Sequence, residues 1–365
     1  MRSRYLLSLL LFLLPAAVFS QSLQRRIDTL LQGYHRQGHF DGAALVVHHG
    51  KVVYQGYFGM ANRQFAIPVK SDTRFPIASV TKLFTAIMIL QLQEEKKLDI
   101  TQPLRVYLPD ILPVHNADIT IRQLLLHTSG LPNEKIGDYY NKSTPRPAVF
   151  MKRYIGDTLV FTPGSKFNYN NVDYILLGAV IEKVSGKKWS EVLQEKIISP
   201  LQLSNTGVIS QKMVIPRLAY GYHNYSFGTG SAKDTVYNDE SVLFENYATA
   251  GAIYSTIHDL QLLDAALYSN RLLQPSTREL MYTPEKSLGN SSYSRGYPTP
   301  GSYRNITTTA VPGHTLEILE RRGNINGFNS AFLRVEKDHN TVILLCNTDT
   351  GNMEKIGDAL MKELY

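Results

Sequence analysis

Apolar positions along the chain fall into a few patterned blocks. Leu23, Ile27, Leu30 and Leu31 recur at helical spacing and predict an N-terminal helix. The stretch GAALVVHHGKVVYQGYFG holds two β-rich runs around His49–Gly50, the pattern of a hairpin. Residues 75–90, FPIASVTKLFTAIMIL, predict a helix so apolar that it must be buried. Residues 97–210 read as mostly helical with turn punctuation. Examples are IRQLLLHTSGLP at 121–132 and VDYILLGAVIEKVSG at 172–186, whose Gly186 reads as a C-cap. Residues 211–250 are rich in Tyr, Gly and Ser and irregular, 252–267 return to helix, and 283–312 look loop-like. Two strands, NSAFLRVE at 329–336 and NTVILLCN at 340–347, flank a polar turn, and GNMEKIGDALMKEL makes a last helix. Strands at both ends with helices between predict an α+β fold: one antiparallel sheet built from both termini, flanked by helices, with a mostly helical insertion. The expected division is an α/β part, 21–95 and 250–365, and a mainly helical part, 96–249.

Composition narrows the setting. The 365 residues are 43% hydrophobic and 19% charged, enough for a sizeable core. The net charge is +7, but no basic run carries interleaved aromatics, so a nucleic-acid groove is not expected. The start, MRSRYLLSLLLFLLPAAVFSQS, has arginines, an apolar run and then small residues. It reads as a signal peptide cleaved before Gln21, because Tyr5 to Phe19 is short for a span and is broken by Pro15. The chain is therefore expected to be exported, periplasmic or extracellular, with no stable membrane span after cleavage. The single cysteine, Cys346, sits in an apolar run and reads as a small core residue.

The buried helix poses a problem. Lys82 stands in its first turn, three residues after Ser79. Burying an ammonium is costly unless it is paired or loses its proton. Residues i and i+3 share a helix face, so Lys82 can meet Ser79. A serine hydroxyl is a weak nucleophile that needs a base and a site for the oxyanion. An apolar surround favours the neutral amine a base needs, and the helix N-terminus favours negative charge near the serine. The S-x-x-K pattern recurs at Ser185–Lys188, among polar residues after a helix end, and is read there as solvated.

At this point the chain resembles the serine β-lactamase and penicillin-binding protein superfamily, especially class C β-lactamases and related esterases and D-alanyl-D-alanine carboxypeptidases. The resemblance runs over roughly residues 25–350. It rests on ASVTK at 78–82, LLLHTSGLP at 124–132, FTPGSKFNYNNVDYILLG at 161–178, AGAIYSTIHDL at 250–260 and RRGNINGFNS at 321–330. It implies the β-lactamase/transpeptidase-like fold. The family's second element is Tyr-x-Asn. The triplet occurs at 139–141, 169–171, 222–224, 268–270 and 303–305, and context selects 169–171. The resemblance then implies that Tyr169 exchanges protons with Ser79 and Lys82, and that Asn171 hydrogen-bonds the substrate amide. The third element, Lys-Thr-Gly or His-x-Gly, is replaced by Arg321–Arg322–Gly323. Gly323 would let substrate approach the strand. The N–H of Asn324 would join that of Ser79 as the oxyanion hole. Arg321 could bind a substrate carboxylate bidentately but cannot titrate near neutrality. His127 is expected to serve a structural turn.

Other chemistries find little support. There is no G-x-S-x-G elbow, no H-E-x-x-H and no phosphate-cradling glycine loop after a strand, so neither cofactor nor metal is expected. The function expected is an exported serine hydrolase working through an acyl-enzyme on Ser79. Lys82 and Tyr169 would be its acid–base pair, and the substrate a β-lactam, a D-Ala-D-Ala-type peptidoglycan peptide or a small ester. The alternative is a catalytically silent binder of cell-wall peptides or acyl ligands. The altered third element favours that alternative, and the intact Ser79, Lys82, Tyr169 and Asn171 oppose it.

Overall fold

The computed structural model describes residues 21–109, 118–133, 158–210, 212–224, 229–231, 233–239, 242–288, 296–307, 313 and 315–365. The expected leader, 1–20, and the Tyr-x-Asn triplet at 139–141 lie outside the described residues. Residues 21–36 form a helix, α1, with Leu23, Ile27 and Leu31 buried on one face. Strands β1 (Gly42–His48) and β2 (Lys51–Phe58) follow as the expected hairpin. Both turn residues, His49 and Gly50, have positive φ, which suits the right-handed twist of the strands.

A one-turn 3₁₀ segment, Ala78–Val80, leads into α2 (Thr81–Glu94). Its residues Thr81 to Leu90 are all buried, as an apolar pattern on every side requires. Helix α3 (Ile121–Leu125) opens on a capping box, in which the Thr120 side chain and Gln123 satisfy each other's backbone N–H groups. Helix α4 (Asn171–Ser185) is capped by the Asn170 side chain and stops at Gly186, as expected. Helix α5 (Ile257–Ala266) is capped by Thr256.

The chain then returns to the sheet with β3 (Tyr297–Thr299), β4 (Ser302–Thr307), β5 (Leu316–Ile325), β6 (Phe328–Val335) and β7 (Asn340–Cys346), and ends in α6 (Met353–Glu363). The sheet has seven strands in the order β3-β4-β5-β6-β7-β1-β2, and its pairings are antiparallel. The N-terminal strand thus lies beside the last one, with Gly42 opposite Cys346.

Strand residues alternate between two cores. Ala43, Leu45 and Val47 of β1 face the large core around α2, α4 and α5, together with Ile343 and Leu345 of β7. Ala44, Val46, Val342, Leu344 and Cys346 face the smaller core beneath α1 and α6. Burial pushes the Cys346 thiol up to about 12, the behaviour of a packed side chain.

Two expectations need correction. Residues 283–312 are not simply loop, since β3 and β4 lie there. Pro298 removes a ladder donor and breaks the alternation that reveals a strand, which an edge strand tolerates. Among the described residues between 95 and 170, turns outweigh helix, with α3 only five residues long.

Candidate active site

The site lies where α2, the segment before α4 and β5 converge. Ser79 sits in the 3₁₀ turn ahead of α2, and Ala78 before it has φ 47°, a left-handed strain for a residue with a Cβ. Beyond Glu320, the last residue of β5 paired with β4, the strand runs past this turn. Gly323 is required there. A Cβ on it would stand 2.8 Å from the Ser79 nitrogen and 2.5 Å from both the Ile77 oxygen and Ser330 Oγ. The Ser330 hydroxyl donates to the Ile77 carbonyl at 2.8 Å and fixes the turn to the sheet.

Ser79, Lys82, Tyr169 and Asn171 are brought together, although 90 residues separate Ser79 from Tyr169. Ser79 Oγ is 2.5 Å from the Tyr169 hydroxyl, and Lys82 Nζ donates to Ser79 Oγ at 3.1 Å. Lys82 is fully buried. Its Nζ also donates to Asn171 Oδ1 at 2.6 Å and to the Ala250 carbonyl at 2.8 Å. These three acceptors match the three N–H bonds of an ammonium. The Tyr169 and Tyr174 ring faces, 4.9 and 5.6 Å from Nζ, add cation–π support. The surroundings are therefore polar where they touch Nζ, and they favour the charged form more than the apolar helix pattern suggests.

Arg321 is almost completely buried. Its Nε donates to the Ser79 carbonyl at 2.9 Å and its Nη2 to the Tyr169 hydroxyl at 3.3 Å. The guanidinium lies 5.3 Å from the centroids of both the Tyr169 and Tyr303 rings. Burial alone would lower its basicity, but Tyr169, Tyr303 and Tyr174 outweigh that and raise it. Arg321 is thus a fixed cation directed at the Ser79–Tyr169 pair. Asn324 is exposed beside Gly323, and its side-chain amide donates to Asn329 Oδ1 at 2.5 Å.

His127 lies behind Tyr169, ring centroids 4.7 Å apart, with φ 57°. Its Nδ1 accepts the Asn170 N–H at 3.3 Å, and its carbonyl accepts the Asn168 N–H at 2.9 Å. Burial, then the charges of Arg321 and Lys82, hold its pKa well below the ordinary 6.5, although Asp173 Oδ2 lies 3.3 Å from the same Nδ1. Asn170 Nδ2 donates to the Leu131 and Pro132 carbonyls, and Asn133 Oδ1 accepts the Asn171 N–H. The HTSG turn is in this way a bracket for the Tyr169–Asn171 segment, in line with a structural role.

Sequence reasoning did not single out Tyr174, Tyr303 or the Ala250 carbonyl. Tyr303 opens one of the five Tyr-x-Asn triplets, yet it reaches the site as an aromatic face, which no spacing rule announces. The second S-x-x-K is on the surface: Ser185 Oγ bonds to the Lys187 carbonyl beside the left-handed Gly186 cap.

The family model "Beta-lactamase" matches residues 23–364, and the chain belongs to that family, a family of serine hydrolases. Penicillin-binding protein 4* of Bacillus subtilis (strain 168) is 26% identical over 341 residues, 90% of this chain and 73% of the relative. The putative penicillin-binding protein PbpX of the same organism is 30% identical over 299 residues, 79% of this chain and 72% of its own length. Among solved structures, a penicillin-binding protein from Bacillus halodurans superposes with a TM-score of 0.75 at 25% identity, covering 92% of this chain and 98% of that one. The expected fold class, α+β of the β-lactamase/transpeptidase type, is the fold observed.

Proposed function

We propose that this chain is an exported acyl-transferring hydrolase with Ser79 as nucleophile and Tyr169 as the base that serves it. The observation that carries this reading is the position of Ser79 Oγ, 2.5 Å from the Tyr169 hydroxyl and 3.1 Å from Lys82 Nζ. With its three N–H groups engaged, Lys82 acts as a charged partner, and Arg321 is a second cation on the same phenol. Arg321 bonds to the phenol oxygen and Lys82 lies over its ring, and cations so placed favour the phenolate, the form that accepts a proton.

In the forward step Ser79 Oγ bonds to the substrate carbonyl carbon and its proton passes to Tyr169. The oxyanion is held by the N–H groups of Ser79 and Asn324. As the intermediate collapses, Tyr169 returns the proton to the leaving group and an acyl-Ser79 ester remains. Water then attacks that ester, giving a proton to Tyr169, which passes it to Ser79 Oγ as the acyl–oxygen bond breaks and the acid is released. Asn171 engages Lys82 through Oδ1, and its amide NH₂ would take the substrate carbonyl. The substrate class is a small ester, a β-lactam or a D-Ala-D-Ala-type peptide. Because Arg321 is already engaged by Ser79 and Tyr169, its role is to position and polarise, and small neutral acyl compounds fit best.

The test is turnover of an activated ester and a penicillin by wild type and Ser79→Ala, with the fold checked by thermal melting. A loss of about 10³-fold or more with unchanged melting is expected. Unchanged turnover by well-folded Ser79→Ala would remove the assignment, and no turnover by either protein would favour the silent binder.

A further inference from the structure

Large apolar side chains exposed among the described residues are unevenly spread. Six of thirteen lie in two short segments: Met60, Phe65 and Ile67 in one, Met213, Val214 and Tyr220 in the other. Val214 is 92% exposed, Phe65 74% and Met213 68%. The first segment is a small hairpin, Met60–Asn62 paired with Ile67–Pro68, and the second is an irregular loop. The segments are stitched together. The Tyr220 N–H donates to the Ala61 carbonyl at 2.8 Å, the Ala219 N–H to the Arg74 carbonyl at 2.8 Å, and the Arg74 N–H to the Arg217 carbonyl at 2.9 Å. Arg217 also pairs with Asp72 across the two segments at 3.3 Å. Asn347 Nδ2 donates to the carbonyls of both Met60 and Tyr220. These bonds bring the two segments side by side, so the apolar exposure is concentrated there rather than scattered singly.

The charges on this surface have one dominant sign. Arg63, Lys70, Lys212 and Arg217 are exposed on the same two segments. Asp41 and Asp72 engage Arg63 and Arg217. Among the described residues, Lys70 and Lys212 have no acidic partner. Apolar tips on narrow turns flanked by cations suit a surface that is anionic outside and apolar just beneath. A protein partner would instead ask for a flatter patch depleted of charge at its centre.

We propose that the 60–67 hairpin and the 213–220 loop form a docking surface for an anionic lipid bilayer. Phe65, Val214 and Met213 enter the acyl boundary, and Lys70 and Lys212 stay at the headgroups. This surface is separate from the proposed chemistry at Ser79 and does not depend on it.

The experiment is vesicle sedimentation of the chain from residue 21 onward, which holds every described element of the fold. The vesicles are equal parts phosphatidylglycerol and phosphatidylcholine, with pure phosphatidylcholine beside them. The wild type, the Phe65→Ser/Val214→Ser pair and the Lys70→Glu/Lys212→Glu pair are compared. Wild type is expected to sediment with the anionic vesicles, much less with the neutral ones, and to be released by salt. Each double variant is expected to bind at least about tenfold more weakly, with unchanged melting and ester turnover. If the apolar pair melts early, the lysine pair, which touches no core, is decisive alone. No binding by wild type, or equal binding by the variants, overturns the proposal. So does concentration-dependent self-association abolished by Phe65→Ser/Val214→Ser without vesicle binding, which would make the surface a contact between copies.

Discussion

At the scale of single residues, the site separates two cations that one pattern in the sequence could not distinguish. The apolar helix around Lys82 predicts a desolvated amine. The structure supplies Nζ with Ser79 Oγ, which the i, i+3 spacing shows, and with Asn171 Oδ1 and the Ala250 carbonyl, which come from segments distant in sequence. Arg321 likewise reads as a candidate for substrate carboxylates, but it spends its donors on the Ser79 carbonyl and the Tyr169 hydroxyl. If it polarises Tyr169, Arg321→Met lowers kcat/KM for a neutral ester about 10²-fold, the scale of losing one preorganised donor. An effect confined to anionic substrates would assign Arg321 to a substrate carboxylate instead. His127 gives a second residue-scale prediction. Its folded pKa is depressed, so below about pH 6.5 the unfolded chain binds a proton that the folded chain refuses. Its contribution therefore destabilises the fold increasingly as pH falls from 6.5 towards the folded pKa, and vanishes above. Comparing urea midpoints of wild type and His127→Gln between pH 5 and 8 checks this. The wild type should show the steeper acid-side loss, and parallel curves would refute it.

At the scale of elements, the patterned pieces were legible and the irregular ones were not. Helices α2, α4, α5 and α6 and strands β1, β2, β6 and β7 fall where periodicity, caps and turns put them. The edge strand β3 and its neighbour β4 did not announce themselves, because Pro298 and the turn glycine Gly301 break the alternation. The site strand β5 was placed by resemblance to a motif, not by its pattern. Ser79 and Lys82 carried a local signal, whereas Tyr169 needed the framing turn, Gly323 needed the resemblance, and Tyr303 was not singled out. One element junction is held by buried charge. Arg334 Nε donates to Asp264 Oδ1 at 2.6 Å, Arg334 Nη1 to the Tyr282 hydroxyl at 2.8 Å, and Thr341 Oγ1 to Asp264 Oδ2 at 2.9 Å. This ties α5 to β6 and β7. Asp264→Asn leaves a buried guanidinium without its counter-charge and should cost about 3–5 kcal/mol in denaturant unfolding. A loss under about 1 kcal/mol would mean that the junction does not depend on the pair.

At the scale of the whole molecule, the two ends of the chain build one sheet, and the site depends on that closure. β1 and β7 are neighbours, and α1 and α6 cover the face opposite α2, α4 and α5. Leu360 of α6 is fully buried there, far along the chain from Ser79. Leu360→Ala should lower stability by about 2–5 kcal/mol while leaving kcat of the folded fraction unchanged. A selective fall in kcat without loss of stability would contradict the separation of the two cores. Among the described residues no helix is long and apolar enough to cross a membrane.

The central claim is that Ser79 is the nucleophile. Intact-mass spectrometry of wild type and Ser79→Ala, after brief exposure to a penicillin and to an activated acyl ester, tests it most directly, with consumption of each compound followed in the same tube. A nucleophilic Ser79 gives either an acyl adduct on wild type alone or, if deacylation is fast, consumption by wild type alone. An adduct of the same mass on Ser79→Ala, or neither adduct nor Ser79-dependent consumption in folded protein, would contradict it.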